Sequence, residues 1–276
     1  MAELKLKFYG TRGSIPICEP NFQEFGGNTT CIAIYRGDND RISIFDAGTG
    51  IRKLGKDIQA QFPEQEELFI GFSHFHWDHI QGLPYFDPAY DTNMKINILA
   101  LGENRKFTDL QEILSLPMRE EYFPLRLQSM GCNFNFLMHQ NHIVKLQGAV
   151  IKAIKQDHPG GSYGYRLEVD HKIVVICTDL EHGDEINQDI VQFAQNADLL
   201  IHEAQYTSEE LESHKGWGHS SYDQAIEVAE RAGAKQLVMT HHDPDHDDEF
   251  LRRVEKKCMD RFKDCILARE GMEIEV

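Results

Sequence analysis

A cluster of three histidines and an aspartate follows the apolar run Leu68–Phe72, which is typical of a buried strand. His74 and His76 lie on one side of an extended chain, because side chains alternate with period two. The chain must then turn, so that Asp78 and His79 address a second point nearby. Imidazole and carboxylate are common ligands of zinc, manganese and iron. The two pairs therefore predict two neighbouring metal ions on one loop.

Composition limits the class of protein. The chain has 276 residues, 41% of them hydrophobic, which is enough to bury the core of one α/β domain spanning residues 1–276. Its formal net charge of −17 argues against a broad surface for nucleic acid or anionic membrane. Two divalent ions would add about four positive charges, so a local anion site is compatible with this charge. No apolar run approaches the roughly 18 residues that a membrane span needs.

The cysteines indicate a reducing compartment. All six are scattered without a Cys-x-x-Cys pair, which predicts reduced thiols of a cytoplasmic protein. Cys177 stands two residues before Asp179, but we expect it to lie in the core rather than bind metal. The alternation of Leu4–Phe8 is that of a strand and not of a signal peptide.

Hydrophobic patterning predicts alternating strands and helices. Apolar residues at Ile51, Leu54 and Ile58 indicate a short amphipathic helix. A longer helix is predicted from Ser221 to Ala232, ended by Gly233. A last helix is expected over Asp248–Phe262. Strands are predicted at Cys31–Tyr35, Ile42–Phe45, Leu68–Phe72, Ile96–Ala100, Ala149–Ile154, Tyr163–Val169, Ile173–Cys177, Leu199–His202 and Gln236–Thr240.

The spacing His-x-His-x-Asp-His resembles the signature of the metallo-β-lactamase superfamily. Four further motifs occur in the order found in that family: Asp46 in FDAGTG, His158 in QDHP, Asp179 in ICTD and His241 in VMTH. The resemblance implies an αββα sandwich of two mixed β-sheets with outer helices. It also implies two divalent ions, zinc first, with manganese or iron as rivals.

The same resemblance implies the part that each residue plays. The first ion would be bound by His74, His76 and His158, and the second by Asp78, His79 and His241, with Asp179 between them. Asp46 would orient a ligating imidazole by accepting a hydrogen bond from its other nitrogen.

Two later motifs resemble the ribonuclease Z-like phosphodiesterase branch of the superfamily: LIHEA, which contains Glu203, and GHSS, which contains His219. In that branch the glutamate orients a histidine that protonates the leaving alkoxide. The implied catalytic set is His219, Glu203 and the ligand Asp78. The alternative is that Glu203 is an ordinary acid at a strand end and His219 a neighbour of a helix cap.

Ribonuclease Z carries a tRNA-grasping arm between the third-motif histidine and the bridging aspartate. Here Asp179 follows His158 by only 21 residues, so tRNA is not an expected partner. The strings YGTRGSIP, GGNT, GWGH and HHDP resemble bacterial phosphoribosyl cyclic phosphate or cyclic-nucleotide phosphodiesterases. We therefore expect hydrolysis of a small phosphodiester by metal-bound hydroxide. The alternatives are a thiolester or lactone hydrolase of the glyoxalase II type, and a non-catalytic metal-binding or nucleotide-sensing protein.

Several assignments stay open at this stage. Arg12 and Ser14 lie on a Gly-rich turn that either contacts phosphate or is structural, and Trp217 either stacks on a base or closes the wall of the site. The acidic, histidine-rich run 242–248 is expected to be a solvated loop that starts a helix rather than a third metal site. Residues 101–146, with an expected helix from Phe107 to Leu114, form a lid, a helical layer or a dimer contact. The oligomeric state stays open as well, and a homodimer is suggested only by analogy with relatives in this branch, which are commonly dimers.

Overall fold

Two mixed β-sheets of seven strands each form the framework. The computed structural model describes residues 4–37, 41–102, 109–139, 142–146 and 148–276. The first sheet contains β1 (Leu4–Gly10), β2 (Cys31–Arg36), β3 (Arg41–Phe45), β4 (Glu67–Gly71), β5 (Lys95–Leu101), β6 (Asn133–His139) and β14 (Glu273–Glu275). The second contains β7 (Ile143–Leu146), β8 (Ala149–Gln156), β9 (Ser162–Val169), β10 (Lys172–Cys177), β11 (Leu199–Glu203), β12 (Gln236–Thr240) and β13 (Cys265–Leu267).

Both sheets combine an antiparallel and a parallel half. The first runs in the order β14-β1-β2-β3-β4-β5-β6 and is parallel from β3 to β6. The second runs β13-β12-β11-β10-β9-β8-β7 and is parallel from β10 to β13. Loops after parallel strands gather at one edge of a sheet, where ligands commonly bind.

Seven α-helices lie in the part of the chain that the structure describes. They are α1 (Ile51–Gln61), α2 (Trp77–Ile80), α3 (Leu110–Ser115), α4 (Gln188–Phe193), α5 (Ser208–Ser213), α6 (Tyr222–Ala232) and α7 (Asp248–Arg261). The outer face of the first sheet is covered by α1 and α3, and that of the second by α4, α6 and α7. Short 3₁₀ turns lie at Pro20–Phe22, Leu83–Tyr85, Asp87–Tyr90, Leu116–Met118 and Leu127–Ser129. None of the helices within the described ranges is long and apolar enough to cross a membrane.

The alternation of side chains along β10 shows how the layers pack. Val174 and Ile176 lie in the core between the two sheets, whereas Val175 and Cys177 lie in the core beneath the helices of the second sheet. This is the period of two that a strand buried on both faces requires. The prediction of an αββα sandwich is confirmed, and Cys177 is a core residue as expected.

The long helices begin and end where their sequences predict. Ser221 caps α6 with a capping box, and Gly233 ends the helix with a left-handed backbone at φ 65°. Asp247 accepts a hydrogen bond from the backbone N–H of Phe250 and so caps α7, which ends at Arg261, one residue before the predicted end.

Between β5 and β6, residues 109–130 pack as a helical layer on the first sheet. Its side chains Leu110, Leu114, Met118, Leu127 and Met130 are buried in the core beneath α1. The helical-layer interpretation is therefore the one that the described residues support. Phe107, where the helix was expected to begin, lies outside them. The sequence pattern also missed the strands β6 and β7.

Candidate metal centre

The residues predicted to bind metal lie in loops that follow strands, except Asp78 and His79, which lie in the short helix α2 after β4. His74 follows β4 and His158 follows β8, whereas Asp179 follows β10 and His241 follows β12. Asp46 directly follows β3. This arrangement brings side chains from both sheets together at one edge of the sandwich.

One group consists of three imidazoles, His74, His76 and His158, whose donor atoms all lie within 4.8 Å of one another. Nε2 of His158 lies 3.0 Å from Nδ1 of His76. Nδ1 of His158 donates to the carbonyl of Gly218 at 2.8 Å, which leaves the lone pair of Nε2 for an ion. Nε2 of His74 is buried without a hydrogen-bond partner.

A second group consists of Asp78, His79, Asp179 and His241, all of them buried. Nε2 of His79 lies 3.1 Å from Oδ2 of Asp78 and 3.2 Å from Oδ2 of Asp179, but it makes no hydrogen bond. Nε2 of His241 lies 3.2 Å from Asp78 and 3.3 Å from Asp179.

Asp179 faces both groups. Besides its contacts in the second group, its Oδ1 lies 3.8 Å from Nε2 of His74 and 3.8 Å from Nε2 of His158. Burial opposes its ionisation, yet the neighbouring imidazoles of the two groups hold its pKa well below the usual range. The carboxylate is therefore charged and placed between the two groups.

Asp46 orients one imidazole of the second group. It is fully buried, and its Oδ2 lies 2.8 Å from Nδ1 of His79. The same carboxylate accepts hydrogen bonds from the backbone N–H of Ser73 at 2.9 Å and from its hydroxyl at 2.7 Å. With Nδ1–H held by Asp46, His79 presents the lone pair of Nε2 to the cluster.

Backbone strain is concentrated around the cluster. Asp46, Asp179 and His241 have φ values of 59°, 58° and 62°, in the left-handed region that non-glycine residues rarely adopt. Ser14 has a φ of 62°, and its backbone N–H donates to Asp78 at 3.0 Å. Each such residue costs about 1–3 kcal/mol, and strain of this kind is typical of functional sites.

The donor set fits two divalent ions. Buried nitrogen atoms without partners, on His74 and His79, face buried carboxylates in a way that leaves room for a cation between them. Burial and the nearby His79 hold the pKa of His74 well below its usual value, so its imidazole is neutral and able to bind metal. Nitrogen and carboxylate donors suit zinc, manganese and iron alike.

Glu203 and His219 lie beside both groups. Glu203 is fully buried, and its Oε1 lies 3.6 Å from Nδ1 of His219, which has no hydrogen-bond partner. The ring centroid of His219 lies 5.3 Å from that of His158 and 5.1 Å from that of His241. Burial lowers the pKa of His219, but the acids Glu203, Asp179 and Asp78 outweigh this effect and raise it. The structure thus brings together the two residues of the predicted acid dyad.

Of the two interpretations of Arg12, the contacts of its side chain support the structural one. Its side chain is fully buried, and Nε donates to the carbonyl of Gly26 at 2.7 Å. Nη1 donates to the carbonyls of Asp243 and His246, both at 2.8 Å. Arg12 therefore ties the N-terminal turn to the loop after His241. A Gly-rich turn that contains an arginine indicates that another segment can come close to its backbone, but it does not predict that the arginine side chain is buried.

The other tentative contacts differ in exposure. Ser14 is exposed and contacts the cluster through its backbone N–H. Trp217 is also exposed and stands two residues before His219 in the sequence. His242 is fully buried and donates to the carbonyl of Ala268 at 2.9 Å, so His241 and not His242 joins the cluster.

Sequence reasoning missed Gln205, whose Oε1 lies 3.1 Å from Nδ1 of His241. Its position two residues after Glu203 is the sequence signal that could have identified it as a neighbour of the site. It also missed a buried pair, His182 and His202, with their Nε2 atoms 3.3 Å apart. The run 242–248 forms a loop and a helix cap, as expected, but the expectation that it is solvated is wrong: His242, His246 and Asp248 are buried, and His246 pairs with Glu210 at 2.9 Å.

Comparison with known proteins accounts for this arrangement. A family model described as a β-lactamase superfamily domain matches residues 42–242, about three quarters of the chain and all seven cluster residues. The chain belongs to the metallo-β-lactamase superfamily. It is a hydrolase of that superfamily, with a cluster of histidines and aspartates suited to divalent ions.

Among its superfamily relatives is a ribonuclease Z of Picrophilus torridus, 26% identical, with 99% of this chain and 96% of the relative covered. A ribonuclease BN of an Enterobacter strain is 22% identical, with 98% of this chain and 99% of the relative covered. These relatives place the chain near the ribonuclease Z-like members of the superfamily.

Solved structures show the same fold. YhfI, a metallo-β-lactamase fold protein from Bacillus subtilis, superposes with a TM-score of 0.74 at 20% identity over the whole of both chains. A diphosphatase of the PhnP family gives a TM-score of 0.71 at 17% identity, covering 99% of this chain and 98% of the other. The short form of human tRNase Z gives 0.68 at 20% identity, with 98% of each chain covered.

Proposed function

We propose that this hydrolase cleaves a phosphodiester bond in a small substrate, namely a cyclic nucleotide or a related cyclic phosphate. The observation that carries the proposal is the position of Glu203 and His219 next to the seven-residue cluster. An alkoxide is a poor leaving group unless a positioned acid protonates it. A thiolester hydrolase would have no need of this pair, because a thiolate leaves readily without protonation.

The proposed ions are zinc first, with manganese or iron as rivals. When bound, they would supply a water that is nucleophilic near neutral pH and would neutralise charge on the phosphate. His74, His76 and His158 would hold one ion. Asp78, His79 and His241 would hold the other, and Asp179 would lie between the two.

His219 is the proposed acid, because it is buried beside both groups and its pKa is raised. Glu203 favours the protonated imidazole by its charge. The acceptor Oε1 of Glu203 is in turn fixed by the backbone N–H of Ser220 at 2.7 Å and of Leu180 at 3.2 Å. We therefore propose that His219 is oriented by Glu203, whose own carboxylate is fixed by these two backbone hydrogen bonds.

A small substrate is favoured over RNA by the connection between β8 and β9. Only a short loop joins these two strands, which pair as a hairpin from the Val150–Glu168 pair to the Gln156–Ser162 pair. The net charge of −17 also disfavours a long polyanion. A phosphodiester in RNA is the second candidate, because the curated relatives are named ribonuclease Z and ribonuclease BN.

The buried cysteines support the proposal of a cytoplasmic protein. All six cysteines are free, and five of them are buried. Thiols persist in this form in a reducing compartment.

A substrate panel tests the proposal. The metal-loaded protein is assayed on bis(p-nitrophenyl) phosphate, cyclic nucleotides, a cyclic ribose phosphate, a thiolester, a chromogenic β-lactam and a precursor tRNA. We expect turnover of the small diesters and none of the lactam. Faster cleavage of precursor tRNA than of any small diester would favour the RNA candidate, and turnover of the thiolester alone would refute both.

A further inference from the structure

Three loops of the site are joined in a closed ring of hydrogen bonds. The backbone N–H of Glu181 donates to the carbonyl of Asp157 at 2.8 Å. The next residue, His158, donates from Nδ1 to the carbonyl of Gly218 at 2.8 Å. The backbone N–H of Gly218 then donates to Oε2 of Glu181 at 2.8 Å, which closes the ring.

The Glu181 carboxylate grips the turn before His219 at two points. In addition to its bond from Gly218, it accepts the backbone N–H of Gly216, which lies 2.8 Å from Oε1 and 2.9 Å from Oε2. Hydrogen bonds to a charged acceptor are about twice as strong as those between neutral groups. Both glycines have positive φ values, 84° and 91°, so this turn relies on a backbone conformation that other residues rarely adopt.

The turn held by Glu181 carries the exposed side chain of Trp217 and leads directly to His219, the proposed acid. Trp217 lies between the two glycines, is 61% exposed, and rests edge-on against His214 with ring centroids 4.8 Å apart. His214 stacks on Tyr206 at 4.5 Å, and Tyr206 lies 6.0 Å from His219. The position of the indole and the position of the acid therefore depend on the same short stretch of backbone.

We propose that Glu181 is a positioning residue, which holds residues 216–218 so that His219 is aimed at the leaving group and Trp217 is presented as a platform for a flat ring on the substrate. Glu181 itself touches neither substrate nor ion. This inference rests on the proposed function for the part that concerns the leaving group. It further favours diesters that carry a base or an aryl ring over those that carry only a sugar.

The first test reads the backbone turn without any activity. The chain has two tryptophans, Trp77 and Trp217, so a Trp77→Phe background leaves the platform as the sole indole. In that background Glu181→Ala should lower the steady-state fluorescence anisotropy of Trp217. The matched control is Asp184→Asn, which removes an acid that forms an exposed ion pair at 3.2 Å with Lys215, the residue before the turn. Unchanged anisotropy in Glu181→Ala would overturn the proposal.

The second test reads the acid, at saturating metal. Glu181→Ala should lose about 10- to 100-fold in kcat on a diester with an alkoxide leaving group, part of the range that a positioned acid supplies. With p-nitrophenolate as leaving group the loss should be about threefold or less, and Asp184→Asn should lose nothing on either. Equal losses on both leaving groups would refute the positioning role.

A conservative variant guards against misfolding. In Glu181→Gln one carboxylate oxygen becomes an amide that cannot accept a backbone N–H. It should keep the thermal midpoint of the wild type and show a smaller effect in both tests, and a wild-type result in both would contradict the proposal. If wild-type protein cleaves no diester, the proposed function fails, while the anisotropy test still decides whether Glu181 holds the turn.

Discussion

Asp46→Asn offers a sharp test of how the second group is organised. The carboxylate accepts three hydrogen bonds, two from Ser73 and one from Nδ1 of His79, all between 2.7 and 2.9 Å. The asparagine amide has the same shape but only one accepting oxygen. If its NH₂ group faces His79, Nδ1 must accept and the proton moves to Nε2, which removes the lone pair that would bind the ion. If it faces the other way, its NH₂ meets the backbone N–H of Ser73.

The magnitude follows from this choice of tautomer. Outer partners of a metal-binding imidazole typically change metal affinity by about 10- to 100-fold. That range corresponds to about 1.4–2.7 kcal/mol. Because Asp46 contacts His79 directly, the loss should be larger at the second group than at the group of His74, His76 and His158.

The assay is competition with a chromophoric chelator. It is run on the Asp46→Asn protein and repeated in a His76→Ala background, where the first group is disabled and the remaining ion reports the second. Asp87→Asn, which alters an exposed ion pair with Lys56 at 2.8 Å, serves as control and should bind as the wild type does. Unchanged affinity in Asp46→Asn, or a loss confined to the first group, would refute the account of His79.

Three other variants extend the account. Asp179→Asn should weaken both ions together, because the carboxylate faces both groups, and elemental analysis that shows one ion fully retained would contradict this. Gly218→Ala should lower the affinity of the first group, since a Cβ there would lie 2.2 Å from Nδ1 of His158; a crystal structure with His158 unmoved would count against it. Burial, with a smaller effect of His202, lowers the pKa of His182 to about 3, so only the unfolded chain gains a proton as pH falls from about 6.5 towards 3. Its contribution to stability is present above pH 6.5 and lost below it, by up to about 1.4 kcal/mol per pH unit, and urea titrations of His182→Gln should show a shallower decline in that window.

The local motifs were predictable because the residues of each motif lie close together in the sequence, at spacings that fix which side chains face the same way. His74 and His76 occupy alternate positions after an apolar run, and this pattern alone places both imidazoles on one side. Ten of the fourteen described strands were predicted in the same way from runs of apolar residues, and the end of α6 from Gly233. These features depend on neighbours in the chain, which a sequence displays directly.

Features that depend on distant backbone atoms were not predictable. The guanidinium of Arg12 is buried because carbonyls some 230 residues away accept its hydrogen bonds. Glu181 meets Gly216 and Gly218 through their backbone N–H groups, which leave no signature in side-chain spacing. Strand β6 was missed because its residues are half-buried and its partner is a parallel strand more than 30 residues earlier.

The central claim, that a metal-dependent phosphodiesterase uses His219 as its acid, is tested most directly by His219→Ala on two leaving groups. The protein should keep both ions and its fold, and should lose about 10²–10⁴-fold in kcat on a diester with an alkoxide leaving group. With p-nitrophenolate the loss should be smaller by about an order of magnitude or more, because that anion leaves without a proton. Equal losses on both leaving groups would contradict the acid role, and loss of an ion would make His219 a ligand instead.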